Sequence, residues 1–197
     1  MANKITLTAN DGSIVEFYDE IKAQGGVKDV YFSPDKTYVV AFYRKPINAN
    51  DRERITNIVG IYRQRIFDTP EGNYWKNLFA WPTKMVEWNG KTGIIMPFYD
   101  KRFFFSSGPF KGKEKEGKWF ASAKLRNKFL PADQKGNWLT NLHMCIKIAR
   151  AVRRLHAAGL AHSDLSYKNI LVDPITGSAC TVSYTHLRAH ETTLHLV

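Results

Sequence analysis

The sequence predicts an α+β fold, with a strand-rich first half and a second half that contains a long helix and a compact polar loop. Short segments of alternating apolar and polar residues, separated by turn residues, fill the first hundred positions. Segment 138–158 instead carries apolar residues at helical spacing. A polar stretch and the apolar run 170–172 follow it, so we expect helix, loop and strand in that order.

The expected strands come in pairs, each joined by residues that favour tight turns. They lie at 5–8 and 14–18, at 27–33 and 36–45, and at 84–88 and 92–98. Asn89 and Gly90, between the last two strands, are the strongest hairpin signal because both tolerate the positive φ of a two-residue turn. A further hairpin is expected after position 170, with its second strand ending near Val182.

Three helical segments are expected. The first covers about residues 51–67. The second begins at Thr69 and Pro70, where a hydroxyl cap precedes a proline that suits a first turn. The third covers 138–158 and ends before Gly159, which suits the left-handed residue that follows a helix. One stripe of the third helix is expected to be buried; it consists of Leu142, Ile146, Ala149, Val152 and Leu155.

Composition limits the class of protein. Hydrophobic residues make up 44% of the 197 residues and aromatic residues 13%, which is enough for a folded core. The formal net charge of +11 favours polyanionic partners such as nucleotides, nucleic acid or acidic protein surfaces. Residues 101–135 carry much of this charge. Glycine, lysine and serine are dense there and no periodicity persists, so we expect a solvated loop or insertion.

Cysteine content and hydropathy indicate the compartment. The two cysteines form no C-x-x-C pair, so a metal site is not indicated and a reducing compartment is expected. The first residues lead into an alternating segment, so no signal peptide is expected. No stretch approaches the roughly 18 apolar residues of a membrane span. We therefore expect a cytoplasmic protein without a membrane partner.

The residues that could take part in catalysis are concentrated in the loop after the third helix. His162, Asp164 and Asn169 stand there, the last two five residues apart. In a compact loop the carboxylate can accept a proton from an attacking hydroxyl, and the amide oxygen can bind Mg²⁺. His162 would pack beneath the loop and the following strand would anchor it, because catalysis by positioning needs a rigid support. An ordinary helix–loop–strand link with a capping Asp is the alternative.

This loop resembles the catalytic loop of the protein kinase superfamily, H-R-D-L-x-x-x-N, in which Asp is the base and Asn a magnesium ligand. The matching residues are His162, Asp164, Leu165 and Asn169. Ser163 replaces the family Arg, which commonly pairs with a phosphorylated activation loop, so we expect no switch of that kind. Lys168 stands where some tyrosine kinases carry an Arg that helps to hold the phosphate, and it is a second catalytic candidate. The resemblance implies a protein-kinase-like fold that uses ATP and Mg²⁺.

The resemblance extends less sharply into the first half. Gly25 and Gly26 occupy the place of the glycine-rich loop that covers the phosphates, although a plain turn is the alternative. The following strand resembles V-A-I-K, whose Lys binds the α- and β-phosphates, but Tyr43 stands in the strict Lys position. Lys45, the next residue on the same face by alternation, is the candidate for this role, and Arg44 is the second. A solvated strand end is the alternative for both.

Two further roles are implied by the same resemblance. Glu71, eleven residues before Pro82, is the candidate carboxylate partner of the strand Lys, with Glu53 as the second candidate. A favourable charge near a helix N-terminus is the alternative for Glu71. Met96 and Phe98 lie in the segment that corresponds to the connection between the lobes, where backbone groups of the family hold adenine.

The resemblance also implies a domain division. Residues 1–99 correspond to a β-rich, ATP-binding N-lobe, and 100–182 to the start of a helical C-lobe with the basic insertion and the catalytic loop 162–169. The family's second magnesium ligand, the Asp of D-F-G, has no counterpart because no Asp follows Asp173. Residues 183–197 differ in composition, so we expect a truncated fragment with a non-homologous tail and no activity. A genuine pseudokinase with a shortened lobe is the alternative.

Three functions from different classes remain. The first is an ATP-dependent protein serine/threonine kinase of the bacterial, eukaryotic-like sort, with a protein substrate. The second is a small-molecule kinase of the aminoglycoside or choline type, which the basic insertion favours less. The third is a nucleic-acid-binding module in which aromatic residues among the lysines stack bases. The phosphotransfer loop has no place in the third, so a nucleic-acid partner is not expected.

Overall fold

The computed structural model describes residues 2–182 and 187–189. The strands in these residues are β1 (Lys4–Thr8), β2 (Ile14–Tyr18), β3 (Ala23–Gln24), β4 (Lys28–Phe32), β5 (Tyr38–Tyr43), β6 (Lys84–Trp88), β7 (Lys91–Pro97), β8 (Leu160–His162), β9 (Ile170–Asp173), β10 (Ser178–Thr181) and β11 (Leu187–Ala189). The α-helices are α1 (Ala49–Asn57), α2 (Arg63–Phe67), α3 (Gly72–Lys76), α4 (Lys118–Ala121), α5 (Ala123–Phe129) and α6 (Trp138–Ala157). A π-helical segment (Ile58–Tyr62) separates α1 from α2.

The chain divides into two compact units. The first consists of Met1–Gln64 and Trp81–Phe98, and the second of Arg65–Ala80 and Tyr99–Val197. The predicted non-homologous tail, 183–197, lies outside the described residues except for β11, which pairs antiparallel with β8. None of the helices in the described parts of the chain has the length and apolar character needed to cross a bilayer.

A five-stranded antiparallel sheet with the order β3-β4-β5-β7-β6 forms the centre of the first unit. The predicted hairpin at Asn89 and Gly90 is confirmed, since both residues have positive φ (49° and 71°) and lie between β6 and β7. The predicted strand 36–45 is shorter than expected. It ends at Tyr43, so Lys45 lies outside the strand.

Both faces of this sheet are covered by apolar side chains. On one face, which packs with the β1–β2 hairpin, the rings of Phe17, Tyr31 and Phe42 have centroids 5.4–5.7 Å apart. The other face packs against the helical segment; its buried residues are Ala41, Ile55, Val59, Met85, Ile94 and Met96. A one-residue slip of any central strand would exchange these two sets, so the strand register is firmly fixed.

The first predicted helix, 51–67, is observed as α1, the π-helical segment and α2 in succession. Asn48 caps α1, and its side chain accepts a hydrogen bond from the backbone N–H of Asp51 at 2.8 Å. In the π-helical segment, the Ile58 carbonyl accepts a hydrogen bond from the buried indole N–H of Trp81 at 2.8 Å. π-Helical turns depart from the regular hydrogen-bond ladder, which leaves this carbonyl accessible to the indole.

The second predicted helix begins later than expected. α3 starts at Gly72 and has Glu71 as its N-cap residue, so the predicted cap at Thr69 is wrong. A Cβ atom at position 72 would lie 2.1 Å from the carbonyl oxygen of Phe67. The close approach of the chain at this turn therefore requires a glycine at the first position of the helix.

The second unit is built around α6 and the antiparallel hairpin β9–β10. Asn137 and Thr140 form a capping box at the start of α6. The Asn137 side chain accepts the backbone N–H of Thr140 at 3.0 Å, and the Thr140 hydroxyl accepts the backbone N–H of Asn137 at 3.0 Å. The predicted end of the helix before Gly159 is confirmed, and Gly159 has a φ of 81°.

The predicted buried stripe of α6 is largely wrong. Leu142 and Ile146 are 41% and 46% exposed. The buried residues of α6 are instead Met144, Ala151 and Leu155, and Met144 packs against Val172 and Ala179 of the hairpin. Two apolar stripes at helical spacing share Leu155, and the sequence alone does not indicate which of them the hairpin covers.

The segment expected to be a solvated loop, 101–135, is ordered and partly buried. It contains α4 and α5, and Phe103 and Phe105 are 6% and 2% exposed. Lys115 is buried; its ammonium donates to the Arg102 carbonyl at 2.8 Å and forms an ion pair with Asp173 at 3.4 Å. The segment is therefore held by single anchor residues, which leave no periodic pattern in the sequence.

Candidate catalytic site

The loop between β8 and β9 contains the residues to which the sequence assigns catalysis. It starts at His162, the last residue of β8, and ends in a 3₁₀ turn, Tyr167–Asn169, directly before β9. Ser166 caps this turn, since its hydroxyl accepts the backbone N–H of Lys168 at 3.4 Å. Both ends of the loop are thus fixed by regular structure.

Asp164 and Asn169 are brought together. The Asn169 side-chain amide donates to the carbonyl oxygen of Asp164 at 2.6 Å and to its carboxylate oxygen Oδ2 at 2.9 Å. These two bonds close the loop across the five-residue separation. They also orient the Asn169 side chain, because the nitrogen faces Asp164 and the amide oxygen faces away from it.

The loop is anchored by Val182, the residue that follows β10. His162 Nε2 donates to the carbonyl oxygen of Val182 at 3.3 Å, and the backbone N–H of Val182 donates to the carbonyl oxygen of Asn169 at 3.0 Å. One residue after β10 therefore bonds to both ends of the loop. The contact of His162 is the support that the sequence predicts for it.

The side chains fit a magnesium–nucleotide complex in part. Within residues 2–182 and 187–189, no hydrogen bond uses Asn169 Oδ1 or Asp164 Oδ1. Those residues contain no cluster of three or more His, Cys, Asp or Glu side chains that could hold a metal ion. Mg²⁺ commonly takes one or two protein ligands and completes its shell with phosphate oxygens and water, and Asn169 Oδ1 is suited to be one of them.

Three other polar residues in or near the loop differ in how exposed they are. Lys168 is exposed one residue before Asn169, so its ammonium is open to an anionic ligand. Ser163 is exposed as well. Asp173 accepts the Thr176 hydroxyl at 2.6 Å in addition to its ion pair with Lys115. Asp173 is therefore a structural carboxylate.

The predicted glycine-rich loop is the turn between β3 and β4. Gly25 and Gly26 are exposed there, and the N–H of Gly25 donates to the Lys28 carbonyl at 2.9 Å. Arg44 donates to the carbonyl oxygens of both glycines and lies 3.9 Å from the Asp29 carboxylate. Arg44, the second candidate for the phosphate-binding role, thus holds the turn.

The two candidate acidic partners are exposed. Glu71 caps α3 without a side-chain hydrogen bond, and it belongs to the second unit, whereas Lys45 belongs to the first. Glu53 is exposed on α1. Their pairing with a strand Lys stays a prediction, as does the role of Lys45, which is exposed beyond the end of β5.

The predicted adenine-binding segment forms the end of β7 and the residue after it. Met96 is buried and pairs with Val39 of β5. The backbone N–H of Phe98 donates to the Thr37 carbonyl at 3.0 Å, and its ring packs edge-on against Phe32 at 5.0 Å. This N–H is engaged within the first unit, so adenine binding through it stays a prediction.

Lys28, which no sequence motif indicates, lies on the sheet face that carries Tyr43. Lys28 of β4 is the direct register partner of Tyr43 in β5, and its ammonium lies 4.7 Å from the centre of the Tyr43 ring. The only sequence signal for this pairing is the position of the two turns that set the register of β4 against β5. The residue pattern of a single strand therefore cannot predict which residues of β4 and β5 are paired.

The chain is similar to known kinases in sequence and in structure. Residues 132–183, which include α6, the loop and the hairpin, match the model of the lipopolysaccharide kinase (Kdo/WaaP) family. Among curated proteins, no sequence matches the chain. The solved structure of vaccinia related kinase 3 matches with a TM-score of 0.55 and 12% identity, over 94% of this chain and 51% of that chain.

This chain therefore spans about half the length of the solved kinase chain that it matches. At 12% identity the likeness concerns the fold. The family match concerns the segment with the Asp164–Asn169 pair, and that kinase family match supports a phosphotransferase. The predicted protein-kinase-like fold is thus confirmed.

Proposed function

We propose that this protein is a Mg²⁺- and ATP-dependent phosphotransferase in which Asp164 receives the proton of the attacking hydroxyl. The observation that carries the proposal is the contact between Asp164 and Asn169, which fixes a carboxylate and a carboxamide in one closed loop. The match of residues 132–183 to a kinase family adds independent support.

The proposed roles follow from the free atoms of the loop. Asp164 Oδ1 accepts the acceptor's proton while Oδ2 stays bonded to Asn169, so the carboxylate keeps its orientation during the transfer. Asn169 would hold a magnesium ion through its side-chain oxygen, and the ion would neutralise charge on the phosphates. The Lys168 ammonium binds the transferred phosphoryl group. Catalysis of this kind depends mainly on position and charge.

We propose a protein serine or threonine hydroxyl as the acceptor. The ordered basic segment favours an acceptor with an acidic surface, because its exposed lysines can attract negative charge. These are Lys111, Lys113, Lys124 and Lys128. A sugar hydroxyl is the second candidate, since the name of the matching family specifies lipopolysaccharide. Small alcohols of the aminoglycoside or choline type are the third. A cytoplasmic location, where ATP is supplied, follows from the proposal.

Nucleotide binding tests the proposal directly. Calorimetric titration of the purified chain with ATP, with and without Mg²⁺, should show at least tenfold tighter binding with the metal. Asn169→Ala should remove that difference, whereas Asn127→Ala, a change at an exposed asparagine, should not. A folded wild-type chain that binds no Mg-ATP would contradict the proposed function.

Transfer of label from [γ-³²P]ATP identifies the acceptor. A casein-like protein, lipopolysaccharide and small alcohols are offered in parallel, with Asp164→Asn as the inactive control. Label on protein supports the first acceptor class, and label on lipopolysaccharide alone supports the second.

A further inference from the structure

Lys28 stands beside the position where the kinase pattern expects its phosphate-binding lysine. In β5, Tyr43 occupies that position, and in β4 Lys28 is its direct partner across the strand pair. Partners in an antiparallel pair point to the same face of the sheet, and the Lys28 ammonium indeed lies over the Tyr43 ring at 4.7 Å. The two residues thus share one location on one sheet face.

The sheet face that carries Lys28 is apolar. On the same face, Val30 and Tyr43 pack with the buried residues Ala41, Ile55 and Met96. Within the described parts of the chain, Lys28 forms no ion pair and its ammonium donates no hydrogen bond. Burial lowers the pKa of Lys28 to about 7, and no charged neighbour contributes to this shift. A half-buried lysine without a polar partner is costly, and perturbed titratable groups of this kind cluster at functional sites.

The other two basic candidates do not offer such a group. Arg44 donates to the carbonyl oxygens of Gly25 and Gly26, and it stabilises the turn. Lys45 follows the end of β5 and is exposed to solvent. Of the three, Lys28 alone places an ammonium without a polar partner on the face that carries Tyr43.

We propose that Lys28, supplied by β4, takes the role that the kinase pattern assigns to a lysine of β5, and binds the phosphates of the nucleotide. This inference rests on the proposed function. The amino group would then lie on the same sheet face as in the kinase pattern. The residue that carries it, however, belongs to the neighbouring strand, β4. Tyr43 then serves as the aromatic support over which the ammonium is held.

Lys28→Met tests the inference through the difference between two ligands, Mg-ATP and adenosine. A charged hydrogen bond to phosphate is worth about 1.5–3 kcal/mol, or roughly 10- to 150-fold in affinity. We expect Lys28→Met to weaken Mg-ATP binding by at least tenfold and to leave adenosine binding within twofold of the wild type. Lys28→Arg, which keeps the charge, should recover part of the loss.

Lys45→Met is the rival variant, and Lys124→Met is the matched control at an exposed lysine of the second unit. Loss of Mg-ATP affinity in Lys45→Met, with none in Lys28→Met, would overturn the inference and leave the proposed function intact. Loss of both ligands in Lys28→Met would overturn it as well, because the residue would then support the fold. A wild-type chain that binds neither ligand would remove the proposed function itself, and the inference with it.

Discussion

The loop 162–169 and the β4–β5 face differ in how far apart in sequence their interacting residues stand. In the loop, Asp164 and Asn169 are five residues apart and meet through a 3₁₀ turn. On the sheet face, Lys28 and Tyr43 are fifteen residues apart and meet only because the strand register aligns them. A motif of residue types describes the first kind of pair well. The second kind depends on turns that contribute no chemistry.

The largest expected effect tests the local pair. Asp164→Asn should lower phosphoryl transfer by about 10²- to 10⁴-fold, because a general base of this kind contributes that much. The urea midpoint of unfolding should stay close to that of the wild type, since Asp164 is exposed. Initial rates of label transfer and an unfolding curve measure both quantities.

Asp133→Asn is the matched control, at another exposed aspartate. It should change neither the rate nor the midpoint. If Asp164→Asn kept its transfer rate, the carboxylate would not be the base, and the capping interpretation of the loop would replace it.

The second effect tests a long-range pair in the same unit as the loop. Lys115→Met should destabilise the protein by about 3–5 kcal/mol, because it leaves the buried Asp173 carboxylate without its cation. The free energy of unfolding in urea measures the loss. Lys113→Met, at an exposed lysine two positions earlier, should cost less than about 0.5 kcal/mol. Equal losses in the two variants would show that the ion pair does not anchor the segment.

The two regions also show how far the sequence predicts the structure. The paired strands, the hairpin at Asn89 and Gly90, and the loop before β9 follow from local patterns, and the structure confirms them. The covered stripe of α6 does not follow, because Leu142 and Met144 belong to different apolar stripes and only the hairpin selects between them.

The site divides in the same way. His162, Asp164 and Asn169 are identified from one short segment. The alternation argument for Lys45 depends on the length of β5, and the strand ends at Tyr43. The anchoring of the basic segment by Lys115 depends on a partner 58 residues away, which neither composition nor periodicity indicates.

A third effect concerns an arginine that reaches across 88 residues to cap a helix. The Arg154 guanidinium donates to the carbonyl oxygens of Arg65 and Ile66 at 2.7 and 2.8 Å, at the end of α2. Cations at a helix C-terminus and hydrogen bonds from charged donors both stabilise, so Arg154→Leu should cost about 1.5–3 kcal/mol of unfolding free energy. Arg153→Leu, at the exposed neighbour, is the control in the same urea titration. Equal midpoints for the two variants would contradict the capping role.

The last effect tests the sheet face through pH. The folded-state pKa of Lys28 is lowered to about 7 by burial, against 10.5 for an ordinary lysine. Below pH 7 the folded protein must keep a charged, largely desolvated ammonium beside the Tyr43 ring, which lowers its stability. Between pH 7 and 10.5 the unfolded chain binds more protons than the folded one, so this penalty fades as the pH rises.

Lys28→Met should therefore be more stable than the wild type at pH 6, and the difference should shrink toward zero as the pH approaches 10.5. Urea midpoints at pH 6 and pH 9.5 measure it, with Lys124→Met as the pH-independent control. A constant difference at both pH values would mean that the ammonium is well solvated.

The same burial that makes the unliganded lysine costly would strengthen its attraction to a phosphate, because both effects come from the low polarity of one sheet face. A loss of stability traded for ligand affinity is the signature expected of a binding residue, and a purely structural lysine would not show it.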